Sequence, residues 1–333
     1  MAVTQAAGDV TRVGDRRRSS RAVWVRLVVS AVLLAILVSR IHLDAVLPRQ
    51  RHLSTLAFFA AGVVVTLLGI VLSAWRWQRV LVVFDTHVRL RTLVSHYLAG
   101  QFVGNVLPST IGGDVLRVSR GAQTTGSGAT SFASVVLERL TGFVALPLLC
   151  VVGVLARPSL LQADRAWIAL AISGVTLVVL VGILLVAASP RLAGRFAEHE
   201  NWMRFIGAVH LGVDRLRHRP RLAASVLAAA LVYQVSTVLV VLLAVKTMDV
   251  SVPVAAVLAF APAVAMAQVL PLSLSGLGVR EGMLVLFLGS LGVSAGPAIG
   301  VGLLWYAMTL LVSLLGAPAF AVGHRHPAPA DQP

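Results

Sequence analysis

Apolar stretches long enough to cross a bilayer recur along this chain, at 23–40, 53–75, 132–156, 166–188, 222–245 and 298–322. A helix needs about 20 such residues to traverse hydrocarbon. Between them little remains from which a water-soluble unit could be built. The longest polar interval, 190–221, falls short of the ~50 residues of a small domain. Charged residues make up 12% of the chain, against about 25% in soluble domains. The expected fold class is therefore all-α, a polytopic membrane helical bundle occupying 23–322. Basic and polar tails at 1–22 and 323–333 are expected to be disordered, and the apolar core from Leu27 reads as an uncleaved signal anchor, because Ser39-Arg40-Ile41-His42 offers no small-residue cleavage site.

The net charge of +15 does not indicate nucleic acid as a partner. Lys246 is the only lysine, and most arginines sit in short loops beside apolar runs, where they set topology and meet anionic headgroups. Arg12, Arg16, Arg17, Arg18 and Arg21 place the amino end in the cytoplasm. Arg76, Arg79, Arg89 and Arg91 read as a cytoplasmic loop after the second span, and the arginines of 190–221 as another. The carboxyl end returns to the same side. Cys150 stands alone, so no intrachain disulfide forms, and no metal-ligand spacing or cofactor motif is found.

Two further apolar regions, 92–113 and 253–292, are interrupted. The first carries Asn105-Val-Leu-Pro-Ser-Thr-Ile-Gly-Gly-Asp-Val-Leu-Arg117, the second Leu270-Pro-Leu-Ser-Leu-Ser-Gly-Leu-Gly-Val-Arg-Glu281. Proline and glycine break helices, and broken backbone at membrane depth is tolerated only inside protein or beside a wet cavity. Each region is either a pair of short spans or a re-entrant hairpin. The loop charges favour two hairpins entering from opposite faces, the arrangement of inverted-repeat transporters.

Asp114, Arg117, Glu138, Arg139, Arg280 and Glu281 lie at or near membrane depth. Each costs about 2.5–3.5 kcal/mol at a helix centre unless it pairs or reaches water. Adjacent residues on a helix point apart, so Glu138 is expected to pair with an arginine of a hairpin rather than with Arg139. Alternatively, the span begins near Leu140 and both charges rest at the headgroups. Asp114 reads as the N-cap of the helix after Gly113. The backbone N–H groups at Gly112-Gly113, with Arg117 one turn on, would suit a phosphate. Gly276, Gly278, Arg280 and Glu281 repeat those elements, and Asn105 and Ser109 could add hydrogen bonds to a headgroup. His96 and Tyr97 read as packing or interfacial residues.

Arg76-Trp77, Tyr97-Leu-Ala-Gly100, Asn105-Val-Leu-Pro108, Gly112-Gly-Asp114, Arg117, Leu137-Glu-Arg139 and Gly276-Leu-Gly-Val-Arg-Glu-Gly282 together resemble the lysylphosphatidylglycerol synthase transmembrane region, also called the flippase-like family. The resemblance spans about 25–322. It implies movement of a lipid product across the bilayer, and a stand-alone member without the aminoacyl-transferring soluble domain of bifunctional relatives is expected.

Residues and resemblance together give a multi-pass inner-membrane protein that translocates an anionic phospholipid or polyprenyl-phosphate derivative in envelope biogenesis. It is expected to be a transporter rather than an enzyme. Arg117, Arg280 and the Gly112-Gly113 backbone would hold the phosphate, while Asp114, Glu138 and Glu281 balance charge or carry protons. The alternatives are a non-catalytic scaffold of envelope synthesis, or a polyprenyl-dependent glycosyltransferase using Asp44.

Overall fold

The computed structural model describes residues 53–106, 112–188, 203–269 and 276–322, and among these no strand occurs. Its helices are α1 (Leu53–Val83), α2 (Leu90–Val106), α3 (Gly112–Thr125), α4 (Gly128–Ala156), α5 (Ala166–Ala188), α6 (Met203–Arg217), α7 (Pro220–Thr247), α8 (Val254–Ala267), α9 (Val279–Gly289), α10 (Ala295–Leu314) and α11 (Gly316–Val322). Five of them, α1, α4, α5, α7 and α10, are long and apolar enough to cross a membrane. The polytopic helical bundle is thus confirmed. The expected span at 23–40, both tails, Ser109 and Asp44 lie outside the described residues.

Three boundaries differ from the sequence expectation. α1 does not stop before Arg76 but runs on to Val83, so Arg76 and Arg79 belong to a helix and not to a loop. Apolar contacts explain the extension, because Trp77, Val80, Leu81 and Val83 are fully buried on its continuing face. α4 starts at Gly128, capped by the Ser127 hydroxyl, which accepts from the Thr130 N–H at 3.2 Å. Glu138 is therefore well inside a helix rather than before its start. The last expected span divides at Leu315 into α10 and the short α11. Arg120 of α3 satisfies the end of α11 by donating to the Ala319 and Phe320 carbonyls at 2.8 and 2.9 Å. Those carbonyls are among the groups a helix terminus leaves without internal partners.

Within 190–221, expected as a polar loop, residues 203–217 form an amphipathic helix instead. Val209 of α6 is fully buried against Val136, Leu140 and Leu180. Its other side carries Asp214 and Arg217. Where α1 ends, Asp85 adopts a φ of 56° and accepts from Arg219 at 2.7 Å and Arg215 at 3.2 Å.

Lipid tails are as apolar as leucine, so helices in a bilayer associate mainly through close packing of small residues and polar contacts. α5 illustrates the outward condition: Val175, Val178, Val179 and Leu185 are all exposed. Inside, α1 lies along α7, and α8 lies against α4. α8 and α9 meet through Phe260 and Phe287, stacked at 4.8 Å between ring centroids.

Both interrupted regions fold back on themselves as helix–break–helix pairs, α2 with α3 and α8 with α9. The first pair closes because glycines let backbones touch. A Cβ on Gly100 would sit 2.9 Å from the Gly113 carbonyl, and one on Gly113 would strike the Gly100 carbonyl. The second turns through Gly276 and Gly278, whose φ values of 76° and 83° disfavour any side chain.

Candidate functional site

The broken pairs share one cavity of about 760 Å³, lined from the first by Asn105, Gly113, Asp114 and Arg117 and from the second by Gln268, Gly276 and Arg280. α1, α4, α7 and α10 complete its walls.

Five charged residues of this cavity form an alternating chain. Arg76 of α1 donates to one oxygen of Glu138 on α4. Arg117 of α3 donates to the other at 3.0 Å and reaches Asp114 at 3.4 Å. Asp114 pairs in turn with Arg139 of α4. The order is Arg76, Glu138, Arg117, Asp114, Arg139, so cations stand at both ends and one positive charge is unmatched. Glu138 is completely buried, and Arg76 and Arg117 are 4% exposed. Burying charges is costly, and only mutual pairing with good geometry offsets it.

Aromatic rings supply the rest of the support. The Arg117 guanidinium lies between Tyr97 and Trp77, at 4.2 and 4.6 Å from their centroids. Arg76 lies 4.7 Å from the Tyr233 ring. Trp77 is fixed by donating to Ser134 at 2.9 Å. Yet Arg76 Nε and Nη1 and Arg117 Nε, all buried, have no hydrogen-bond partner among the described residues. Unsatisfied buried donors are costly, by about 1–3 kcal/mol each, unless something occupies them.

The second pair contributes a self-contained unit. Arg280 donates from Nε and Nη2 to one oxygen of Glu281, at 3.0 and 2.8 Å. The other oxygen accepts from the Gly278 N–H at 2.6 Å. Neighbours on a helix ordinarily diverge; here Glu281 curls back over the first turn of α9, and the long Arg280 side chain bends to meet it. Arg280 also faces the rings of Tyr306 and Trp305, at 5.0 and 5.7 Å.

Of the residues expected at a site, Asn105, Gly113, Asp114, Arg117, Glu138, Arg139, Gly276 and Arg280 line the cavity. Gly112 opens α3, Gly278 precedes α9, and Glu281 stands behind Arg280. Asp114 is not the N-cap; it lies in the first turn of α3, which begins at Gly112. Glu138 does pair with an arginine of the first hairpin, Arg117. Tyr97 packs, as expected, but it packs against the cavity's arginine, while His96 contacts Thr124 at 2.9 Å.

Sequence reasoning missed Arg76 as a cavity residue, along with Gln101, Tyr233, Gln234, Gln268, Trp305 and Tyr306. A signal existed for Gln234, a lone carboxamide within an apolar run. For Arg76 it lay in the apolar residues that continue beyond it. Among the described residues no His, Cys, Asp or Glu cluster is suited to a metal ion.

Comparison with curated proteins and with solved structures returns no match. The family described as "Lysylphosphatidylglycerol synthase TM region" matches residues 23–316, nearly the whole length of the helical bundle just described. The chain belongs to that family, as an integral membrane protein.

Proposed function

We propose that the cavity receives the phosphate of an anionic lipid and that the protein moves such lipids across the bilayer during envelope biogenesis. The family's name associates it with a phospholipid-modifying system, which supports a lipid role. The observation that carries the reading is the alternating chain: buried from Arg76 through Glu138 to Arg117, ending on arginine at both sides, and set in a cavity lined by elements of both broken pairs. Charged groups in a membrane mark substrate pathways more often than they serve stability.

In this reading Arg76 and Arg117 take the phosphate, because their unpartnered N–H groups match its oxygens and guanidinium grips phosphate in bidentate fashion. This adds Arg76 to the residues expected from sequence and moves Arg280, already engaged by Glu281, into a supporting place. The acids hold the arginines in position. The polar cavity gives a headgroup a place apart from hydrocarbon, while acyl chains stay among the exposed apolar faces.

The test is reconstitution of the purified protein in liposomes containing acyl-labelled fluorescent phosphatidylglycerol, with dithionite added outside. Protein should render the inner-leaflet pool reducible, and Arg76→Gln or Arg117→Gln should slow exchange about tenfold, or 1.4 kcal/mol of barrier. Exchange by folded variants at the unaltered rate would contradict the role of the chain. No exchange by the unaltered protein would contradict transport of this lipid.

A further inference from the structure

Six buried side-chain nitrogen or oxygen atoms lack a hydrogen-bond partner among the described residues. Four of them belong to residues lining the cavity: Nε and Nη1 of Arg76, Nε of Arg117 and Oγ of Ser73. The arginine nitrogens already serve the phosphate in the reading above. Ser73 is completely buried, and a buried hydroxyl without a partner is uncommon enough to need a reason.

Nothing local forces this condition. The other serines and threonines of the lining, Thr66, Ser236, Thr237 and Thr309, each donate to a carbonyl three or four residues back, at 2.8, 2.6, 3.4 and 2.9 Å. Back-bonding of that kind is the ordinary outlet of a hydroxyl on a helix. Ser73 does not use it.

Its surroundings place it with the arginines. Ser73 precedes Arg76 by three residues on α1, so the two side chains are neighbours on one face. Tyr97 and Tyr233 lie near enough to Ser73 to interact with it, although neither completes a hydrogen bond to Oγ. Those two rings hold Arg117 and Arg76, and both guanidiniums meet on Glu138. The hydroxyl therefore stands beside the groups that take the phosphate, and turning about a single bond redirects its hydrogen.

Resting on the proposed lipid role, we infer that Ser73 is a further phosphate ligand, its hydroxyl donating to a non-bridging oxygen beside Arg76 and Arg117. The arginines supply charge, and Ser73 supplies a neutral donor that adds none to an already cationic group. Kept without an internal partner, the hydroxyl costs the lipid-free protein stability and gains affinity for the phosphate.

Calorimetric titration of the purified full chain with monomeric dihexanoyl phosphatidylglycerol, paired with melting curves without lipid, tests this. Ser73→Ala should weaken binding about tenfold and leave the lipid-free melting temperature equal or higher, whereas loss of a structural hydroxyl would lower it. Ser73→Cys, close in size and only a weak donor, should lose affinity similarly and stands in if the alanine variant fails to fold. Unchanged affinity in both, with Arg76→Gln still weakening binding, would overturn the role of Ser73 and spare the phosphate site. Weaker binding with a lowered melting temperature would make Ser73 a packing residue and overturn the inference too. Inorganic phosphate bound as tightly as the lipid, with the same loss in Ser73→Ala, would keep Ser73 as a ligand and overturn the lipid reading. No binding of either by the unaltered protein would overturn both.

Discussion

The two broken helix pairs use the same residue types in opposite ways. In the first, acid and arginine find partners on other helices, so α1, α3 and α4 are tied through Glu138. In the second, Arg280 and Glu281 satisfy each other within one turn of α9. A cross-helix network makes electrostatics and helix arrangement interdependent. A local pair leaves its helix free to be positioned by packing alone. The unmatched charge accordingly lies in the first group, and the second holds a formally neutral wall.

That contrast is sharpest in the carboxylates. Glu138→Gln strands Arg76 and Arg117 at once and should cost about 3–5 kcal/mol, the range for breaking a buried ion pair. Thermal unfolding in detergent measures it. Glu281→Gln removes charge from one arginine and leaves an oxygen able to accept the Gly278 N–H, so about 1–3 kcal/mol is expected. Equal losses would erase the distinction between a network and a local pair.

Glycines probe the same difference sterically. Gly113→Ala drives a methyl into the Gly100 carbonyl and should cost about 1–3 kcal/mol through a backbone shift. Gly282 of α9 has open space where a Cβ would stand, and Gly282→Ala should stabilise by up to about 1 kcal/mol through helix propensity. Urea or thermal denaturation of both variants provides the check, and a reversed order would mean the first pair closes by something other than backbone contact.

Most of the architecture was readable from apolar run length, because a bilayer accepts little else, and the breaks announced themselves through Pro and Gly. The site was readable only in part. Asp114, Arg117 and Glu138 stood out as charges among apolar residues, but Arg76 was hidden by a rule that assigns arginines at span ends to loops. What keeps it in α1 is the fully buried face of Trp77, Val80 and Leu81, a tertiary fact. The glutamines were harder still, since Gln101 of α2 and Gln268 after α8 come from separate elements and only packing brings them to one cavity. The pairing of Arg280 with its immediate neighbour contradicts simple helical geometry and depends on the turn at Gly278.

The smallest expected effect lies outside both pairs. Asp85 is held below the usual carboxylate range, chiefly by the hydrogen bond from Arg219. A carboxylate whose folded value is depressed contributes stability above the ordinary value, and loses it as pH falls through the depressed one. The tie between the α1–α2 turn and the start of α7 should therefore hold at neutral pH and loosen only in strong acid. Hydrogen exchange at residues 83–87, with Asp85→Asn as reference, measures that difference, which should vanish at low pH.

Sharing of one headgroup cavity by both broken pairs is tested most directly by crosslinking. With Cys150, the sole cysteine, replaced by serine, Asn105→Cys and Gln268→Cys are introduced together. In membranes, a bifunctional methanethiosulfonate should join the two positions, and dihexanoyl phosphatidylglycerol should protect them in parallel. Labelling of each position from an opposite membrane face, with no crosslink and no common protection, would contradict a shared site.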